Sequence, residues 1–277
     1  MESERLVNLS SLAKRFKTHL PTKIDAFIAD EKAQKTAENL LSKANNSELG
    51  AASIRLDKAQ VLAPVANPPK VLCLGLNFRT HVKETREVPP EEPVVFMKPH
   101  TAIIGPNQKI VKRPFVKELD YEGELATVIG KKAKDVPENE ALDHVFGYTI
   151  LNDVSARDFQ FKGSQWTPGK SFDTFAPTGP CIVTKNELPH PDNLRIRTWI
   201  NSELRQDGNT RDMIFSVAQI VYHLSRIMTL EPCDIIATGT PSGVAMAMKP
   251  QKWLKHGDIV RIEIEDIGYL QNQVEER

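Results

Sequence analysis

Leu119-Asp120-Tyr121-Glu122-Gly123-Glu124-Leu125-Ala126-Thr127-Val128-Ile129-Gly130 is an apolar run interrupted by two glutamates one residue apart. Read as a β-strand, it sends alternate side chains to the same face, so the carboxylates of Glu122 and Glu124 converge. Two like charges held together near a core are unfavourable unless something positive lies between them. A hard divalent cation meets that need, because Mg²⁺ and Ca²⁺ take oxygen ligands. Taken alone, such a pair is more often the wet face of a half-exposed strand.

Asp153 shifts that balance. It ends the apolar run Tyr148-Thr149-Ile150-Leu151-Asn152, where a strand meets a loop. An Asp at a strand end is usually a turn former. Here it completes a facial set of oxygen ligands, leaving about three octahedral positions for water and substrate. An open site of this kind is catalytic in style rather than structural.

Outward from this run, short stretches rich in Val, Ile, Leu and Thr recur at 71–76, 94–97, 125–130, 147–152, 182–184, 194–200, 235–238 and 259–264. Clusters of Pro, Gly, Asn and Asp separate them, not regularly alternating long helices. The pattern predicts a strand-dominated α+β domain and not a doubly wound α/β sheet. One longer helix is predicted over 216–228, where Val217, Ile220, Val221, Leu224 and Ile227 keep a helical stripe. The first 66 residues differ in texture. There the spacing of Ala33, Ala37, Leu40 and Leu41 predicts one amphipathic helix over 32–44, ended by Asn45, Asn46, Ser47 and Gly50. Pro64, Pro68 and Pro69 mark a linker. The expected division is a small N-terminal domain, 1–66, and a catalytic domain, 67–277.

Lysine plus arginine equals aspartate plus glutamate at 36 each, so the net charge is zero. No global field favours nucleic acid or an anionic membrane as partner. Cys73, Cys181 and Cys233 are odd in number and far apart, without metal spacing or a disulfide framework, which fits a reducing compartment. No apolar run approaches the length of a membrane span. The N-terminus lacks the apolar core of a secretory signal; Glu2 and Glu4 disfavour a mitochondrial presequence, while the basic stretch 12–19 favours one. A soluble intracellular protein is expected, in the cytoplasm or the mitochondrial matrix.

Four segments in register make the chain recognisable. Glu122-x-Glu124, Asn152-Asp153-Val154-Ser155-Ala156-Arg157-Asp158, Gly169-Lys170-Ser171-Phe172-Asp173-Thr174 and Thr238-Gly239-Thr240-Pro241-Ser242-Gly243-Val244 together resemble the fumarylacetoacetate hydrolase superfamily, from about residue 70 to residue 274. Within it the chain looks most like the oxaloacetate tautomerase-like group of fumarylacetoacetate hydrolase domain-containing proteins. The resemblance implies a mixed β-roll of the fumarylacetoacetate hydrolase C-terminal type with a small N-terminal domain. It also implies a homodimer and a bound Mg²⁺, with Mn²⁺ or Ca²⁺ as alternatives.

Carried over residue by residue, the metal ligands are Glu122, Glu124 and Asp153, and Lys170 is the active-site lysine. An ammonium there relieves the excess negative charge of carboxylates and a dianionic substrate; Lys98 could help for the same reason. Arg157 and Asp158 are expected to pair with each other or to brace the metal loop. Gln160 matches a substrate-contacting glutamine of the longer hydrolases. Ser164 stands where those enzymes place a tyrosine, which counts against recognition of their own substrate. Thr240, with neighbouring backbone N–H groups, could hold a carboxylate, or the loop could be a plain turn. His81 and Glu84, at i and i+3 of a short helix, lie on one face, so the carboxylate can orient the imidazole. In the family this pair rides on a mobile lid, with the histidine as acid/base or activator of a water.

The chemistry implied is a metal-chelated enolate of a small 2-oxo acid. Keto–enol tautomerisation of oxaloacetate is favoured. Acylpyruvate hydrolysis and oxaloacetate decarboxylation share the enolate, and a catalytically weak metal- or metabolite-binding protein is the alternative of another class.

Overall fold

The computed structural model describes residues 5–277, and the chain divides between Val61 and Leu62. The expected boundary at 66/67 falls inside the second unit.

In the first unit, β1 (Arg5–Val7) is followed by α1 (Leu9–Arg15), α2 (Ile24–Ile28), α3 (Glu31–Lys43), α4 (Asn46–Ala51) and β2 (Ser53–Arg55), which pairs antiparallel with β1. Asp30 starts α3 by accepting hydrogen bonds from the Lys32 and Ala33 N–H groups. Ala33, Ala37 and Leu40 form its buried stripe, while Leu41 points outward. The polar residues expected only to end this helix also begin the next one. Asn45 and Glu48 form a capping box for α4, because each side chain accepts the other's backbone N–H.

The second unit carries the remaining strands and helices: β3 (Val71–Gly75), α5 (Arg79–Thr85), β4 (Val94–Lys98), β5 (Ile103–Ile104), β6 (Lys109–Lys112), β7 (Leu119–Asp120), β8 (Gly123–Ile129), β9 (Val145–Asn152), β10 (Ser155–Ala156), α6 (Arg157–Gln160), α7 (Thr167–Lys170), β11 (Ala176–Thr184), β12 (Arg195–Ile200), β13 (Glu203–Asn209), α8 (Val217–Ile227), β14 (Ile235–Ala237), β15 (Ile259–Ile264) and β16 (Gly268–Glu276). A seven-stranded sheet has the order β4-β3-β14-β8-β9-β11-β5, and a five-stranded sheet the order β13-β12-β15-β16-β6. The pairs β14–β3, β11–β5 and β16–β6 are parallel and the other pairs in these sheets antiparallel. The unit is strand-dominated, as the recurrent short apolar runs predict, and its sheets are mixed, as the family resemblance implies.

Burial follows sequence pattern strand by strand. Every residue of β8 is buried, and so is nearly all of β9, which suits central strands covered on both faces and explains their continuous apolar reading. β12 and β15 alternate instead, with Ile196, Thr198, Ile200, Val260, Ile262 and Ile264 turned inward. One core joins Leu125 and Ile150 of the first sheet to Ile196, Ile262 and Val274 of the second and to α8. That helix opens on a capping box, Ser216 with Gln219, and buries Val217, Ile220, Val221 and Leu224.

The two sheets come close at Gly123. A Cβ built there would lie 2.5 Å from Thr198 Oγ1 and 3.1 Å from Ile262 Cγ2, so only glycine fits between the two glutamates. No helix among the described residues is long and apolar enough to cross a membrane.

Candidate active site

The site forms where the β8–β9 pairing ends. Gly123 stands opposite Asn152, and just beyond them the Asp153 N–H donates to the Glu122 carbonyl at 2.9 Å. The Asn152 side-chain oxygen accepts the Glu122 N–H at 3.1 Å. Glu122 therefore lies in the break between β7 and β8, and this backbone clamp, not uninterrupted strand alternation, sets its position. Ligand atoms of Glu122, Glu124 and Asp153 all lie within 4.8 Å of one another, and all three residues are buried. The convergence expected from the sequence is present.

Three cations answer these carboxylates. Lys170, only 2% exposed, places Nζ 2.8 Å from Glu122 Oε2 and 2.8 Å from Asp153 Oδ2. Lys98 Nζ lies 2.5 Å from Asp153 Oδ1 and donates to the Val154 carbonyl. Arg157 donates from Nη2 to Glu122 Oε1 at 2.6 Å and from Nη1 to Gln160 Oε1 at 2.8 Å.

These contacts tilt the titration of each group. Burial alone would push Glu122 up, but Lys170 and Arg157 outweigh it and hold the carboxyl well below its ordinary range. Burial would likewise depress Lys170, yet Asp153 and Glu122 raise it. Glu124 differs. Its Oε2 accepts the Gly239 N–H at 2.9 Å, and the ion pairs of the described residues include none to it. Burial, then the neighbouring Asp153 and Glu122, push its carboxyl well above the usual carboxylate range.

His81 lies on α5, buried, with Nδ1 2.8 Å from Glu84 Oε1. The other Glu84 oxygen, Oε2, accepts the Gly243 N–H at 2.8 Å, which fixes the carboxylate from both sides. His81, Glu122, Glu124, Arg157, Gln160, Lys170 and Thr240 share one cavity of about 310 Å³ with Phe96, Phe161, Trp166 and Met246.

Some positions depart from expectation. Lys98 is not among the cavity-lining residues; it backs Asp153 from within the core, where its ammonium relieves the carboxylate charge. Of the two alternatives for Arg157 and Asp158, Arg157 takes the bracing one and the two do not pair with each other. Arg157 binds Asp120 and Glu122, and Asp158 accepts the Lys117 N–H. The Thr240 hydroxyl is engaged between the Gly123 carbonyl and the Gln206 amide, so it ties its loop to the glutamate strand.

Sequence reasoning missed Asp120, Gln206 and Trp166. Asp120 carries its own signal, because it continues the Glu122 and Glu124 period of two backwards by one step. Gln206, which holds the Gly123 N–H at 3.0 Å, lies in a polar strand with no motif.

The donor set fits a hard divalent cation. Three convergent buried carboxylates offer oxygen ligands, and among the described residues the two lysines pair with Glu122 and Asp153 and not with Glu124.

Residues 70–275 match the family described as fumarylacetoacetate (FAA) hydrolase C-terminal. The chain is 43% identical to the mitochondrial oxaloacetate tautomerase fahd2 of Xenopus laevis, over 92% of this chain and 79% of that protein. It is 44% identical to the oxaloacetate tautomerase YisK of Bacillus subtilis, over 90% of this chain and 83% of the relative. A solved fumarylacetoacetate hydrolase from the psychrophile Exiguobacterium antarcticum superposes with a TM-score of 0.75 at 44% identity, covering 82% of each chain. With its four motifs gathered around one buried carboxylate cluster, this chain is an enzyme and belongs to the fumarylacetoacetate hydrolase family.

Proposed function

We propose that this enzyme interconverts the keto and enol forms of a small 2-oxo dicarboxylic acid, oxaloacetate, with a divalent cation, Mg²⁺ or Mn²⁺, held by Glu122, Glu124 and Asp153. The observation that carries this reading is the shared cavity: an oriented imidazole, His81, lines the same space as Glu122 and Glu124 of the carboxylate cluster. The names of the Xenopus and Bacillus relatives favour tautomerisation among the reactions such a site could run. We extend the proposal to a homodimer, in the cytoplasm or the mitochondrial matrix.

When bound, the ion supplies Lewis acidity that stabilises negative charge on the 2-oxo group. The chain's own residues do the rest. Tautomerisation takes a proton from C3 and delivers one to the C2 oxygen, with no other atom gained or lost. His81, its Nδ1 held by Glu84, has its second ring nitrogen for that transfer, and the Glu84 carboxylate stabilises the imidazolium that forms. The Lys170 ammonium, held between Glu122 and Asp153, offsets the charge of a dianionic substrate. Gln160 and Arg157 present polar groups to the cavity, while Phe96, Phe161, Trp166 and Met246 give it apolar walls.

The test incubates metal-loaded protein with enol-oxaloacetate and, separately, with acetylpyruvate, with and without EDTA. Metal-dependent loss of the enol band without pyruvate supports the reading. Pyruvate appearing from either substrate at a rate rivalling enol loss sinks it and favours a C–C hydrolase or a decarboxylase.

A further inference from the structure

Asp120 is fully buried and its carboxylate accepts four hydrogen bonds. Oδ1 takes the N–H groups of Tyr121 at 2.9 Å and Ala245 at 2.8 Å. Oδ2 takes the Met246 N–H at 3.1 Å and Arg157 Nε at 2.9 Å.

These bonds run in two directions. Through Arg157 they reach Glu122 Oε1, because the guanidinium that is held at Nε by Asp120 grips Glu122 with Nη2. Through Ala245 and Met246 they pin the segment that follows Gly243. That glycine gives its N–H to Glu84, the partner of His81, and accepts the Tyr121 hydroxyl on its carbonyl at 2.8 Å. One carboxylate thus stands between the ligand side of the cavity and its imidazole side. Arg157 cannot turn its fork without losing three acceptors at once, Asp120, Glu122 and Gln160.

We propose that Asp120, with Tyr121 beside it, is a positioning residue that sets the Glu122 carboxylate and the His81–Glu84 pair in a common register. The proposal rests on the metal-dependent reading of the site. Partners of this kind orient ligands, and their loss weakens metal binding or activity by about 10–100-fold. An asparagine at 120 keeps the shape and removes the function. Its amide has one oxygen and one NH₂, so either orientation leaves two of the four donors facing a donor.

The experiment measures Mn²⁺ affinity of the substrate-free protein by calorimetry, and kcat and KM on enol-oxaloacetate at saturating Mn²⁺. Asp120→Asn is expected to bind Mn²⁺ about 10-fold more weakly or worse, with kcat lowered by about the same factor and KM within about twofold of wild type. A Mn²⁺ affinity or a kcat equal to that of wild type overturns the proposal. Tyr121→Phe removes the hydroxyl that bonds the Gly243 carbonyl and meets Arg205, and leaves Asp120, Arg157 and Glu122 in place; it is expected to lower kcat while leaving Mn²⁺ affinity unchanged. If Asp120→Asn does not fold, Tyr121→Phe decides: wild-type kcat overturns the proposal. Failure of wild-type protein to bind Mn²⁺ or to consume the enol sinks the functional reading instead, because the register is read from variant-to-wild-type ratios.

Discussion

Lys170 holds Asp153 at 2.8 Å and, with the same ammonium, holds Glu122 at 2.8 Å, so one buried cation spans two carboxylates of the cluster. Removing one partner of a buried ion pair destabilises by about 3–5 kcal/mol, because the remaining charges are left unpaired in a poor solvent. Lys170→Met is therefore expected to lower the urea midpoint of the EDTA-treated protein. Turnover of enol-oxaloacetate should fall by about 10²–10³-fold, the usual cost of losing a charge aimed at the reacting group. An unchanged midpoint in EDTA would show that the pair carries no stability.

His81→Ala should reduce kcat by about 10²–10⁴-fold, the range for a positioned general acid/base. Glu84→Gln should cost less, because the amide can still hold the Gly243 N–H or the imidazole but cannot stabilise its charged form. Both variants should bind Mn²⁺ as wild type does in calorimetry. Full activity of His81→Ala would place the proton transfer on another group.

Metal stabilisation should grow with pH. Glu124 has a folded-state value raised well above the 4.5 of the free side chain. Its contribution to the metal-free fold is complete below that value and is lost as pH rises through the raised one. Glu122 runs the other way: its folded-state value is lowered from 4.5, so its contribution is present above 4.5 and lost only in stronger acid. From about pH 5 upward, then, Glu124 sets the trend. The rise in melting temperature on adding Mg²⁺ should be small at the acid end and larger at the other. A rise that shrinks with pH would contradict the assignment of Glu124 as a ligand.

Gly75→Ala should disturb the cavity wall. A Cβ at Gly75 would lie 2.2 Å from the Trp166 ring, which itself packs edge-on to Phe96 with centroids 5.8 Å apart. Overpacking of this kind costs about 1–3 kcal/mol. Urea denaturation should register it, and KM should rise, since both aromatics line the cavity.

Legibility followed burial. The runs 259–264 and 147–152 were readable as strands because their apolar side chains bury against the core. β13, Glu-Leu-Arg-Gln-Asp-Gly-Asn, was not, since it is an edge strand whose inward residue, Gln206, is polar. The carboxylate cluster was legible because like charges in an apolar run are anomalous. Its bracing was not: Asp120 and Arg157 meet across 37 positions of sequence, and no local pattern reports such a meeting.

The Asp153–Glu122 backbone bond has one more consequence. It joins ligands 31 positions apart at the open end of the β8–β9 hairpin, while residues 130–144 close the far end, about seven strand residues or roughly 20 Å away. Ala133, Val136 and Ala141 bury that connection in the core, and its backbone bonds Ser225 and Leu230, so only the exposed stretch 137–140 is free of both core and ligands. The hairpin can therefore absorb insertions within 137–140 over evolutionary time, and a protein engineer could graft a tag or a second module at that stretch without disturbing the chemistry at its base.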